Sequence, residues 1–281
     1  MHSMNFDVSL SGNSLKYEGW DLVKPAIKAK LNDGMLSISQ LDAGMFDGQI
    51  NMKASVQAGK GERQPLQIQA DAKIRDVSLE PLVKAFVGVP LIKGSGRISM
   101  DNVVSASGIS PAALVYDLSG NGAVTGKEIV LDGVDLTRFA KALSEESKPG
   151  DTALGLWKGA SKGGSTRFDT LDGNYTIQEG VINIAKLDLD GAQASIGTTG
   201  RIDLPKWYID TDHKILVKGQ DVPEFTVEIN GPLNNPGNTF GQGILNNYLE
   251  RKIERKLQSV VQDKLGDKLD GKLGGVLGNI L

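Results

Sequence analysis

The chain of 281 residues holds two histidines and no cysteine, so the side chains best suited to nucleophilic, metal-binding or redox chemistry are almost missing. A metal centre needs three or four clustered ligands, and a Ser-His-Asp arrangement needs a histidine held between two partners. His2 lies at the extreme start and His213 stands alone beside Asp212. At that Asp-His step, just ahead of Lys214-Ile-Leu-Val217, the histidine reads as a turn residue that opens a strand. Asp188 and Asp190 share one face of a period-two run and could be considered as an acid/base pair. Leu187 and Leu189 take the other face, so the two carboxylates read as solvated. Gly94-Ser-Gly96 lacks the Lys-Ser/Thr ending of a phosphate-cradling loop. No catalytic residue, metal ligand or cofactor is assigned, and a non-enzymatic role is expected.

The totals point the same way. A net charge of -3 gives no reason to expect nucleic acid, which needs a clustered basic surface. Thirty-five glycines against 5% aromatic residues suit many turns between aliphatic strands. No apolar run reaches the ~18 residues of a membrane span. Residues 1–4, Met-His-Ser-Met, precede no apolar stretch and read as a cloning scar rather than a signal peptide.

The elements that would have to position any site are mostly strands. From Thr166 to Pro236 the chain reads as an antiparallel meander, best seen in Glu224-Phe-Thr-Val-Glu-Ile-Asn230, where Phe225, Val227 and Ile229 share one face. Gly231-Pro-Leu-Asn-Asn-Pro236 is expected to end the sheet. Earlier, Phe6, Val8 and Leu10 alternate, as do Ile27, Ala29 and Leu31, and Asp33-Gly34 marks a hairpin. Trp20 to Pro25 is ambiguous, and further strands fall over 66–74, 91–100 and 118–131. Short helices are expected behind Ser78, behind Ser110-Pro111, and behind Asp135, where Leu136, Phe139, Ala140 and Leu143 form one stripe. Residues 144–165 are rich in Gly, Ser and Lys and read as a mobile loop anchored by Trp157.

After Pro236 the period changes to that of a helix. Ile244, Tyr248, Ile253, Leu257, Val261 and Leu265 mark its apolar stripe, flanked by Arg251, Lys252, Arg255 and Lys256. This predicts a long amphipathic C-terminal helix that binds a membrane surface or a partner, although Glu250, Glu254 and Asp263 offset much of the positive charge. The glycine-rich last 15 or so residues are expected to fray. The division is thus a β domain over 5–237 and a helical tail over 238–281.

One internal echo stands out. Asp33-Gly-Met-Leu-Ser-Ile-Ser-Gln-Leu-Asp42 aligns without gaps on Glu179-Gly-Val-Ile-Asn-Ile-Ala-Lys-Leu-Asp188, and both slip in apolar parity between the Ile and the next Leu. That slip predicts a bulge at the same place in each copy of a repeated β-unit. A sheet with one apolar face must cover it; from the residues alone, a closed core is the ordinary solution and an open face the alternative.

The order of Thr166-x-Phe-x-x-Leu171, Glu179-Gly-Val-Ile182, Thr199-Gly-Arg-Ile-Asp-Leu-Pro205 and Gly231-Pro-Leu-x-x-Pro236 resembles the C-terminal region of AsmA-family proteins, best over 43–236. That resemblance implies kinship with bridge-like lipid-transfer proteins, in which a strongly curved open antiparallel sheet forms an apolar groove for acyl chains. It further implies a periplasmic location, native attachment to the inner membrane through an N-terminal segment not contained in this sequence, and phospholipid as cargo. Under it, Tyr175, Ile177, Ile182, Ile184, Phe225, Val227 and Ile229 become groove lining. The alternative is a structural or interaction role in outer-membrane assembly, with a closed β core and assembly proteins as partners.

Overall fold

A computed structural model describes residues 5–17, 19–59, 64–87, 93–146, 148–149 and 151–277. The first half of the sheet comprises β1 (Phe6–Ser11), β2 (Ser14–Tyr17), β3 (Trp20–Asn32), β4 (Met35–Met45), β5 (Gly48–Gln57), β6 (Leu66–Ser78) and β7 (Gly94–Gly108). The second half comprises β8 (Ser119–Asp132), β9 (Ser165–Gln178), β10 (Val181–Asp190), β11 (Ala194–Asp203), β12 (Tyr208–Val217), β13 (Phe225–Pro232) and β14 (Gly237–Phe240). All belong to one 14-stranded sheet in which β1 and then β3 to β14 lie side by side in chain order, with β2 alongside β3. Every pairing is antiparallel, and β1 and β14 remain separate edges, so the sheet is open.

In such a meander the connections alternate between two rims. The turns β3–β4, β5–β6, β9–β10, β11–β12 and β13–β14 fall on one rim, together with helix α2 (Pro111–Tyr116) between β7 and β8. The opposite rim carries α1 (Leu79–Val87) between β6 and β7, and between β8 and β9 it carries α3 (Leu136–Lys141), a π-helical turn (Ala142–Glu146) and α4 (Ala153–Ala160). The long helix α5 (Gln242–Leu277) follows β14, whose last residue pairs with Val227.

Two of the three caps read from sequence form, while the Ser78 hydroxyl donates to an Asp47 carboxylate oxygen at 3.1 Å. Ser110 Oγ accepts from the Ala113 amide at 3.2 Å, and an Asp135 carboxylate oxygen accepts from the Arg138 amide at 2.8 Å, each satisfying an amide that the first helical turn leaves unpaired. The repeated unit also holds. Asp33 and Gly34 have φ of 46° and 79°, and Glu179 and Gly180 have 51° and 72°, the left-handed pair that a tight hairpin turn requires. Register slips between Ile38 and Leu41 in one copy and between Ile184 and Leu187 in the other. Further irregularities interrupt β3, β6 and β7, and bulges of this kind bend a strand and raise its twist. One face of the sheet is mostly apolar from strand to strand and forms a trough.

Several expectations need correction. The stretch 144–165, expected as a loop, contains the helix α4: Thr152 caps it by accepting from the Gly155 amide at 3.1 Å, and Ala153, Trp157 and Ala160 are buried. Their spacing of four and three places all three on one helical face. Residues 20–25 belong to β3, with Pro25 in a strand that continues past it. The strand placed at 91–100 begins at Gly94 and runs to Gly108, residues 91 and 92 lying outside the described residues, as do 1–4. The sheet does not stop at 231–236: Gly231 and Pro232 close β13, residues 233–236 turn, and β14 adds a short last strand. The backbone of α5 is helical through Gly266, Gly271, Gly274 and Gly275 to Leu277, and residues 278–281 lie outside the described residues.

Candidate functional site

Strand register fixes which side chains share the apolar face. Ile177 and Tyr175 of β9 stand opposite Ile182 and Ile184 of β10, and these stand opposite Ile202 and Gly200 of β11. The row continues through Ile209 and Thr211 of β12 to Gly231 and Ile229 of β13. In the first half, Leu36 and Ile38 of β4 face Val56 and Ala54 of β5, which face Ile68 and Ala70 of β6. These positions all lie toward the rim that carries α2.

Toward the other rim the same face is covered. Phe139, Trp157 and Phe225 form a cluster of edge-on rings, with Phe139 and Trp157 centroids 5.2 Å apart and Phe225 5.3 Å from Phe139. Ile129, Phe168, Ala194, Ile215, Leu143, Leu245 and Leu249 complete a core beneath α3, α4 and the start of α5. Under α1, Trp20 packs edge-on against Phe86 at 5.0 Å and near Phe46, beside Met45, Ile74 and Val77. The helices therefore cover half the width of the trough and leave the other half uncovered.

Two polar clusters cross the floor between the halves. Gly122 of β8 lies between Asn102 and Tyr175, and a Cβ there would come within 2.5 Å of the Tyr175 ring. The missing side chain lets Tyr175 lie across β8 and donate its hydroxyl to Asn102 Oδ1. Burial pushes that phenol up from its ordinary pKa. The second cluster centres on His213. Its Nδ1 is 2.9 Å from Thr198 Oγ1 and its Nε2 3.0 Å from Thr211 Oγ1, and Thr211 in turn donates to the Ile229 carbonyl. With a threonine hydroxyl within hydrogen-bond distance of each ring nitrogen, the neutral imidazole is satisfied in either tautomer. Burial holds the imidazole pKa below its usual value, and Asp212 on the opposite face opposes this only in part.

His213 is thus a mid-strand, inward residue, contrary to its reading as a turn. The strand β12 starts at Tyr208, six residues before the expected Lys214, and counting by two from Ile209 places His213 inward; the polar run Asp-His-Lys hid this. Asp188 and Asp190 lie among cations, Lys186 Nζ 3.2 Å from Asp188 and Lys218 Nζ 2.7 Å from Asp190. Among the described residues no three His, Asp or Glu side chains gather as a metal would require.

The proposed lining residues divide between the two halves. Tyr175, Ile182, Ile184 and Ile229 are partly buried on the half outside the helical core, Ile177 beside them is buried at 7% exposed, and Phe225, only 2% exposed, and Val227 lie in the core under the helices. On α5, Tyr248 and Ile253 pack against the core, with the Tyr248 hydroxyl donating to the Asp221 carbonyl, while Ile244, Leu257 and Val261 are exposed. The Leu265 side chain lies outside the described residues. Apolar residues spaced by four in a helix of 3.6 residues per turn drift about 40° at each step. The stripe that begins at Leu245 and Leu249 on the body has therefore turned away by Leu257 and Val261.

The AsmA family model matches residues 1–187, well over half the chain. The chain belongs to the AsmA family. The match takes in the first strands, where the resemblance was weakest, and ends within β10, so the motifs at 199–205 and 231–236 lie beyond it. Protein AsmA of Escherichia coli (strain K12) is 22% identical over 215 residues, covering 76% of this chain but 33% of that protein. This AsmA-family chain thus spans about a third of that relative's length. No solved structure matches the AsmA-family chain. Among its described residues no helix is long and apolar enough to cross a membrane.

Proposed function

We propose that the uncovered half of the trough binds phospholipid acyl chains and that the protein carries lipid through the periplasm between inner and outer membranes. The observation that supports this is one apolar face running from β1 to β13 on an open sheet, covered by helices across only half its width. An aliphatic floor left to water costs roughly 25 cal/mol for each Å² that a ligand could cover. Acyl chains can cover a long, narrow floor, and their fit to it needs no hydrogen-bond partners. The family's association with the cell envelope, and with outer-membrane assembly or lipid transport, supports the same reading.

A structural role built on a closed β core finds no support in a sheet with two free edges. The test is mass spectrometry of purified protein for bound phospholipid, with Ile184→Asp as the comparison. A carboxylate on the uncovered floor should expel acyl chains while leaving the helical core intact, so the variant should stay folded and lose its lipid. Lipid-free wild-type protein would overturn the proposal.

A further inference from the structure

The rim that carries α2 exposes large apolar side chains at the tips of its turns. Ile109 is 69% exposed, Tyr116 60%, Trp207 40% and Tyr208 41%. They lie close together: α2, the Glu179-Gly180 turn and the β11–β12 turn touch, with Val115 and Pro205 against Gly180, and Tyr116 shares a cleft with Pro205 and Lys206. Met35 and Leu66 stand exposed on the same rim farther along.

Trp207 is the informative residue. Its φ is 53°, a left-handed conformation that is an outlier for a bulky side chain and that asparagine or glycine would accept more readily. The turn is held by the Trp207 amide to Leu204 O at 3.2 Å, the Leu233 amide to Trp207 O at 2.9 Å and the Lys206 amide to an Asp203 carboxylate oxygen at 2.9 Å, none of them made by the indole. Folding therefore requires nothing of the indole, which is both strained and partly in water.

We infer that this rim is a membrane-docking edge whose partner is the headgroup layer of a zwitterionic bilayer. Trp and Tyr with an apolar body and a polar tip suit that layer. The local charges complement it as well. Arg201 pairs with Asp210 at 3.3 Å and Lys206 with Asp203 at 2.9 Å, and Asp117 and Glu179 line the same cleft. With two cations beside four carboxylates, the edge offers partners to both ammonium and phosphate groups and lacks the basic excess that an anionic surface would attract. Separate turn tips also suit a fluid surface, which conforms to them without shape complementarity. The inference stands apart from the lipid-carrying role, since it concerns the turns and not the trough floor.

The experiment is co-sedimentation of the whole chain with phosphatidylcholine/phosphatidylethanolamine vesicles, for wild type and for Trp207→Asn combined with Tyr116→Ser. The variant should bind vesicles about tenfold more weakly, from the lost insertion of two aromatic rings. Its thermal midpoint should not fall, because asparagine tolerates the left-handed turn. Ile184→Asp should bind vesicles as wild type does even if its trough lipid is lost. Wild type that ignores these vesicles, equal binding by the rim variant, binding that needs anionic lipid and vanishes in high salt, or Trp207-dependent self-association without vesicle binding would each overturn the inference.

Discussion

A neutral imidazole held between two threonine hydroxyls makes this sheet sensitive to mild acid. The folded pKa of His213 lies below the ordinary ~6.5, so the unfolded chain takes up a proton before the folded one does. Stability is therefore complete above about pH 6.5, falls as pH drops below it, and levels off under the folded pKa. Urea unfolding at pH 7.5 and 5.5 should show this loss in wild type and a smaller one in His213→Gln. At pH 7.5 the same variant should be less stable by about 1–3 kcal/mol, the cost of disturbing buried hydroxyl partners. Gly122 makes a second residue-scale prediction: Gly122→Ala puts a methyl where the Tyr175 ring lies and should cost about 1–3 kcal/mol by chemical denaturation. Neither role is visible in local composition. A glycine in a β-run and a histidine beside an aspartate look like turn signals until register shows what lies across from them.

At the scale of elements, period and parity carried most of the information. The bulge after Ile38 and Ile184 was readable because alternation must slip when an extra residue enters a strand. The helix α4 was not readable, since the glycines, serines and lysines of residues 144–165 outnumber the three residues that bury its face. Its anchor is nonetheless central, with Trp157 packed edge-on to both Phe139 and Phe225. Trp157→Ala should lower stability by about 3–5 kcal/mol in denaturant titration. The helix α5 has two parts with different work. Leu245 and Leu249 are buried, while Leu257, Val260 and Val261 are exposed. A chain ending at Lys256 should keep the wild-type thermal midpoint, and one ending at Gly241 should melt at a clearly lower temperature.

For the whole molecule, the question that sequence could not answer was whether the apolar face is closed. Alternation from Phe6 to Ile229 is equally compatible with a folded-over core and an open trough, because period two reports that a face is apolar and not what covers it. The covering is decided by topology: the chain places α1, α3 and α4 on one rim and only α2 on the other. Half the face then becomes a helical core and half stays uncovered, which also separates Phe225 and Val227 from the remaining lining positions. The central claim, that acyl chains occupy the uncovered half, predicts a pattern with the period of a strand. A photo-crosslinking amino acid placed singly at Val56, on the trough face of β5, and at Ser55, on the outer face, should distinguish the two sides when the protein is made in bacteria and analysed by mass spectrometry. The account predicts a phospholipid adduct at position 56 and none at position 55. No adduct at either position, or equal adducts at both, would contradict it.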